Sequence, residues 1–197
     1  TSLRGSAAIR RSMFFAQDVC AALVNIHLFP QHEVSLYVDS LIPLIEVAIL
    51  SGVYLSLENT RQTSPEYVNA IFAQLTEIPT AIGRVGMCLD MGHANLYEET
   101  RYDYLAYVDQ LGEHVPIIHW HAHENWGDRD SHLPLFTGAA ARNELGVRAL
   151  IRRMQARGFA GSVVMEQWPT PPEILIETRS HLMNLWNEVA VENGGKI

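Results

Sequence analysis

The sequence predicts an α/β protein built on about five parallel strands that alternate with helices. Three observations predict it. Short apolar runs alternate with longer amphipathic stretches along the whole chain. Each run is almost wholly apolar until its last residue, as strands of a parallel sheet covered on both faces require. Every run also closes on a residue of metal-ligand or acid–base type: His27, Glu58, Asp90, His121 and Glu166.

Taken in order, residues 6–19 read as an opening helix and residues 22–27 as the first strand. Residues 35–51 carry apolar side chains at Leu36, Val38, Leu41, Ile42, Ile45, Ala48 and Ile49, a helical spacing. Residues 53–58 form the second strand. Ser64-Pro65-Glu66 is a helix start, with a capping hydroxyl and then proline at the first helical position. The third strand is residues 85–90, followed by a shorter helix over 102–111. Residues 116–121 are the fourth strand. A helix over 143–157 stops at Gly158, a residue suited to a helix C-terminus. Residues 162–166 are the fifth strand and residues 172–189 the closing helix. The tail, 192–197, is expected to fray.

Alternating strands and helices imply βαβ units. The five strand-end residues are separated by 31, 32, 31 and 45 residues. One unit of a (β/α)8 barrel takes roughly 31 residues, from about 250 over eight units. The predicted fold is therefore a partial TIM barrel of about five strands, in a single domain over residues 1–197. The longer last interval holds the loop 124–143.

Composition narrows the function classes. The chain has 197 residues, 48% of them hydrophobic and 18% charged, which suits a packed core and not a disordered segment. Its formal charge of −8 disfavours generic nucleic-acid binding. No uninterrupted apolar run reaches the roughly 18 residues of a membrane span, and residues 1–11 do not read as a signal peptide. The expected location is cytoplasmic, with no membrane partner. Cys20 and Cys88 sit in apolar runs and read as buried free thiols.

The C-terminal ends of parallel strands form the active face of barrels and open sheets alike. One carboxylate there is most simply a helix cap or a loop ion pair. Five ligand-type residues at five successive strand ends point to a site. Glu58, Asp90, His121 and Glu166 offer oxygen and nitrogen donors, which suit Mn²⁺, Mg²⁺, Co²⁺ or Zn²⁺. His119, His121 and His123 alternate, so a continuing strand would put all three on one face. His119 and His123 are better read as supports or pocket residues than as ligands. His32, His114 and His181 read as solvated, Trp120 as core, and Trp126 and Trp168 as loop residues near the active face.

Several segments carry a family resemblance: Leu57-Glu58-Asn59-Thr60; Cys88-Leu89-Asp90-Met91-Gly92-His93-Ala94; His119-Trp120-His121-Ala122-His123-Glu124-Asn125; Asp130-Ser131-His132-Leu133-Pro134-Leu135; and, less specifically, Val164-Met165-Glu166. In order and spacing they resemble the xylose isomerase-like TIM barrels. That superfamily includes sugar isomerases and epimerases and the endonuclease IV type of abasic-site nuclease. The resemblance implies a divalent metal held by Glu58, Asp90, His121 and Glu166, with Glu58 and Glu166 as the catalytic acid–base pair. It implies a further cluster of His93, Asp130 and His132, which binds zinc in the nuclease branch and lines the substrate pocket in the isomerase branch. His27 matches a strand-end histidine of the nuclease branch, and His123 joins the same substrate or second-metal group. Glu124 stands where the family usually has Asp, and only Gly138 remains of a Gly-x-Gly that usually follows Leu-Pro-Leu.

On this resemblance the first strand corresponds to the fourth of the barrel, so that three βα units have no counterpart here. The implied function is isomerisation or epimerisation of a sugar or sugar phosphate through an enediolate, in carbohydrate metabolism. The partners would be a small sugar and a second copy or a completing chain. The alternatives are a lyase or dehydratase on the same metal site, an endonuclease IV-like phosphodiesterase, and an inactive partial barrel.

Overall fold

The computed structural model describes residues 3–30, 33–139, 144–168 and 171–194. The described elements run α1 (Leu3–Asp18), β1 (Leu23–Leu28), α2 (Val34–Ser51), β2 (Tyr54–Asn59), α3 (Pro65–Thr76), β3 (Val85–Asp90), α4 (Met91–Leu96), α5 (Tyr104–Asp109), β4 (Ile117–His121), α6 (Leu145–Ala156), β5 (Ser162–Val164) and α7 (Pro172–Gly194). A 3₁₀ turn, Glu98–Thr100, lies between α4 and α5. The strands form a five-stranded parallel sheet in the order β1-β2-β3-β4-β5. Parallel neighbours adjacent in sequence need a crossover, and α2 and α3 supply it between β1, β2 and β3.

The chain divides into two compact units. The first comprises residues 1–88 and 111–116. Within it β1 pairs with β2 so that His27 lies opposite Glu58, and β2 pairs with β3 so that Glu58 lies opposite Cys88. Helices α1, α2 and α3 pack in series. Helix α3 begins as the sequence implies: the Ser64 hydroxyl accepts from the Tyr67 N–H at 3.1 Å, with Pro65 at the first helical position. Helix α2 ends at Gly52, whose φ of 72° is a left-handed conformation that glycine adopts without strain. By length and composition alone, α2 is apolar enough to cross a membrane, though Asp39 and Glu46 interrupt its apolar run. Its Tyr37, Val38, Leu41, Leu44, Ile45 and Ala48 are buried within the protein.

The second unit comprises residues 89–110 and 117–197. Strands β4 and β5 pair in parallel, with His121 opposite Val164. Helix α5 packs on α6, and α6 on α7. Arg153 of α6 grips Asp109 of α5 with both ends of its guanidinium, at 2.6 Å each. Trp120 is fully buried, as predicted.

Three readings of the sequence are corrected. The fifth strand stops at Val164, so Glu166 lies in the following loop and not on a strand. The run Val163-Val164-Met165 looks like a strand by composition, but β5 pairs with β4 only through Val164. The C-terminal helix continues to Gly194 and is not frayed from residue 192. Cys20 is exposed, in the turn after α1, and only Cys88 is buried; neither forms a disulfide. Between β3 and α5, the short helix α4 and the 3₁₀ turn had no clear periodic signal. His32, the first residue of the helix predicted over 143–157 and residues 195–197 of the predicted tail lie outside the described residues.

Candidate metal centre

In the first unit, Glu58, the penultimate residue of β2, is almost fully buried. A buried carboxylate is costly unless hydrogen-bonded, and β1 provides the partner. The Asn25 amide donates to Glu58 Oε2, and the Ser56 hydroxyl donates to Asn25 Oδ1 at 2.7 Å. His27 Nε2 lies 3.3 Å from Glu58 Oε1, on a side chain that is half exposed. Asn25 and Ser56 were missed from sequence. Their signal was present: a polar amide interrupts the run Leu-Val-Asn-Ile, and a serine faces it from the paired strand.

In the second unit, Asp90 is the centre of convergence. It closes β3 and caps α4, its Oδ1 accepting from the His93 N–H at 2.7 Å. Its side chain is fully buried. His121 Nδ1 lies 3.6 Å from Asp90 Oδ2 and 2.8 Å from Glu166 Oε2. Donor atoms of Asp90, His121 and Glu166 all fall within 4.8 Å of one another. Burial alone would raise the Asp90 carboxyl. Hydrogen bonds from His121 and His123, and the charges of His123 and His93, outweigh it and hold the group well below the usual carboxylate range. Glu166 is the accessible member, with its side chain 41% exposed.

A second set surrounds Asp130. His93 Nε2 and His132 Nε2 each lie 3.2 Å from Asp130 Oδ2, and His93 Nδ1 is 3.4 Å from Asp90 Oδ2. Burial would raise the Asp130 carboxyl, and the hydrogen bond from His93 with the nearby histidine charges lowers it below the usual range. His132 Nδ1 contacts the Glu166 carbonyl at 2.6 Å, and Trp168 stands edge-on to its ring at 5.7 Å. The φ of His132 is 45°, in the left-handed region where a non-glycine residue is strained. Donor atoms of His123, His132 and Glu166 also lie within 4.8 Å of one another.

The three alternating histidines separate. His119 Nδ1 bonds to Ser162, at 2.7 Å from the hydroxyl and 3.0 Å from the carbonyl, and so ties β4 to β5. His121 faces Asp90 and Glu166. His123, past the end of the strand, puts Nε2 3.1 Å from both Asp90 oxygens. Trp126 is exposed in the loop that follows. That loop is fixed by Asn125, which donates to the Gly92 carbonyl and accepts from Asn95 and the Gly127 N–H, each at 2.9 Å. Glu124 pairs with Leu133 through two backbone hydrogen bonds of 2.8 Å and accepts from the Gly138 N–H, which folds 124–138 back on itself. Of the surface histidines, His181 is paired with Glu144 at 2.6 Å and His114 contacts the Asn69 carbonyl.

The family model of the xylose isomerase-like TIM barrel matches residues 4–185. The chain belongs to this family. The solved structures it resembles share the fold. A D-tagatose 3-epimerase-like protein is 20% identical with a TM-score of 0.72, over 95% of this chain and 70% of that one. A xylose isomerase-like TIM-barrel protein from Mycobacterium smegmatis, in complex with magnesium, is 17% identical with a TM-score of 0.69, over 94% and 68%. D-Psicose 3-epimerase from Clostridium cellulolyticum H10, solved with D-tagatose, is 14% identical with a TM-score of 0.60, over 94% and 70%. No curated protein matches the sequence.

A divalent cation fits the donor set of the second unit. Two carboxylates and an imidazole converge, Asp90 is buried among hydrogen-bond donors, and Glu166 leaves one side open to solvent.

Proposed function

We propose that this chain acts as a divalent-metal-dependent isomerase or epimerase of sugars or sugar phosphates. Its ligands on this reading are Glu58, Asp90, His121 and Glu166. The observation that carries it is the convergence of Asp90, His121 and Glu166 on one small volume. The magnesium complex and the two epimerase-type structures among its neighbours support it. Glu58 enters through the family resemblance and through its buried carboxylate at a strand end, held by Asn25.

When bound, the cation would polarise a carbonyl and its neighbouring hydroxyl and favour the enediolate. The chain's own residues do the proton work. Glu166, half open to solvent, can remove a proton next to a carbonyl. Glu58, buried and held by Asn25 with His27 beside it, would be the second carboxylate that returns it. His93, Asp130 and His132, with the Trp168 ring beside them, are placed to bind sugar hydroxyls.

Glu166→Gln tests this reading. Turnover of a ketose or aldose substrate, followed by proton exchange with deuterated water, is expected to disappear. Because Glu166 is partly exposed, unfolding free energy should stay within about 0.5 kcal/mol of wild type. Full retained activity would sink the mechanism.

A second reading is a phosphodiesterase of the abasic-site nuclease type. The meeting of His93 and His132 on Asp130 favours it, since the resemblance makes these zinc ligands in that branch. Cleavage of an abasic duplex with two or three zinc ions per chain would select it over the isomerase.

A further inference from the structure

We propose that His123 is a positioning residue that holds the Asp90 carboxylate in a fixed orientation for the cation by donating from Nε2. The proposal rests on the metal-dependent reading above and assigns His123 neither to the ligand set nor to the substrate pocket.

Its side chain has no solvent exposure. Nε2 approaches both Asp90 oxygens at 3.1 Å, so the ring closes the fork of the carboxylate. Oδ1 also accepts the His93 N–H. The oxygen left turned towards His121 is Oδ2, 3.6 Å from His121 Nδ1. Asp90 would therefore offer a cation that one oxygen, on the side of His121 and Glu166. Carboxylate ligands are commonly held by hydrogen bonds of this kind, and losing one typically costs about 10–100-fold in metal affinity.

The ring is itself held. It lies flat on His132, 4.0 Å between centroids and 6° between planes, with His93 edge-on at 6.3 Å. Gly92 makes the room, since a Cβ there would stand 2.1 Å from His123 Cε1. His123 Nδ1 is buried, and among the described residues no group bonds it. His123 lines a cavity of about 10 Å³ together with Tyr104, Glu124 and Asn125. The Asp90 carboxylate can only accept, so the ring proton belongs on Nε2, facing it.

The test uses the full chain and Co²⁺, titrated by calorimetry and by its visible absorption. His123→Phe keeps a flat ring over His132 but has no donor; His123→Gln keeps an N–H. Wild type is expected to bind Co²⁺, Asp90→Asn to lose it, and His123→Phe to bind it about 10–100-fold more weakly with shifted absorption bands. His123→Gln should recover part of the affinity. Nitrogen-15 NMR of the wild-type ring, which needs no variant to fold, should show the Nε2–H tautomer. Unchanged Co²⁺ affinity in His123→Phe, or an Nδ1–H ring in wild type, overturns the proposal and leaves the metal-dependent reading standing. Loss of a whole Co²⁺ equivalent in His123→Phe would make His123 a ligand and also overturns it. A wild type that binds no Co²⁺ removes the metal-dependent reading, and this proposal with it.

Discussion

Gly92→Ala is a substitution whose sign depends on one contact. Alanine replacing glycine inside a helix ordinarily stabilises by about 0.5–1 kcal/mol. Gly92 lies in α4, so helix propensity alone predicts a gain. The added Cβ would stand 2.1 Å from His123 Cε1 and 2.7 and 2.8 Å from its two nitrogens. The ring has no easy retreat, because it rests on His132, which is held by Asp130 and the Glu166 carbonyl. Overpacking a core costs about 1–3 kcal/mol. A ring pushed off Asp90 also gives up a hydrogen bond to a charged group, worth about 1.5–3 kcal/mol. Set against the propensity gain, the net is a loss of about 2–5 kcal/mol. Urea unfolding followed by circular dichroism measures it. The same substitution made in His123→Ala should cost less than about 1 kcal/mol, since the clash is gone, and the difference between the two backgrounds is the coupling energy. A Gly92→Ala protein as stable as wild type, or costs that simply add, would refute the reasoning.

Further outcomes follow from other contacts. Asn25→Ala takes a donor from the buried Glu58 carboxylate and should destabilise by about 1.5–3 kcal/mol in chemical denaturation. Ser64→Ala removes the cap of α3 and should cost about 1 kcal/mol, while Ser64→Asp should cost little. Asp109 is held below the ordinary carboxylate range, chiefly by hydrogen bonds from Arg153. A lowered folded pKa gives stability that is present above the unfolded value of about 3.9 and is lost as pH falls through the folded value. Asp109→Asn should therefore cost at most about 1 kcal/mol at pH 7, since the pair is half exposed, and the deficit should shrink in acid and in high salt.

The strand order and the residues that end the strands were legible because one physical rule writes both. A strand buried on two faces is apolar, and the first polar residue after it marks where the chain leaves the sheet. The rule located Glu58, Asp90 and His121 within their strands or at the last residue. It failed at Glu166, because Met165 is apolar without being paired and composition does not report hydrogen bonding. What sequence did not show is the layer behind the ligand-type residues. Asn25, Ser56, Asn95 and Asn125 act through contacts across 30 or more residues, and a polar residue in an apolar run does not name its partner. Helix α4 was illegible for a related reason. At six residues it is too short for a period, and its cap, Asp90, is also the end of a strand.

The histidines of β4 show how far periodicity carries and where it stops. A period of two puts His119, His121 and His123 on one face, and all three are buried. The alternation does not distinguish them; the length of the strand does. His119 still lies beside β5, and its ring is used up by Ser162. His121 is the last paired residue of β4, opposite Val164, and it meets Asp90 and Glu166. His123 has left the strand and swings against Asp90 only because Gly92 has no side chain. One repeated residue thus takes three places, a bond between strands, a face on the donor cluster and a brace behind it, and the neighbours Ser162, Glu166 and Gly92 decide which is which.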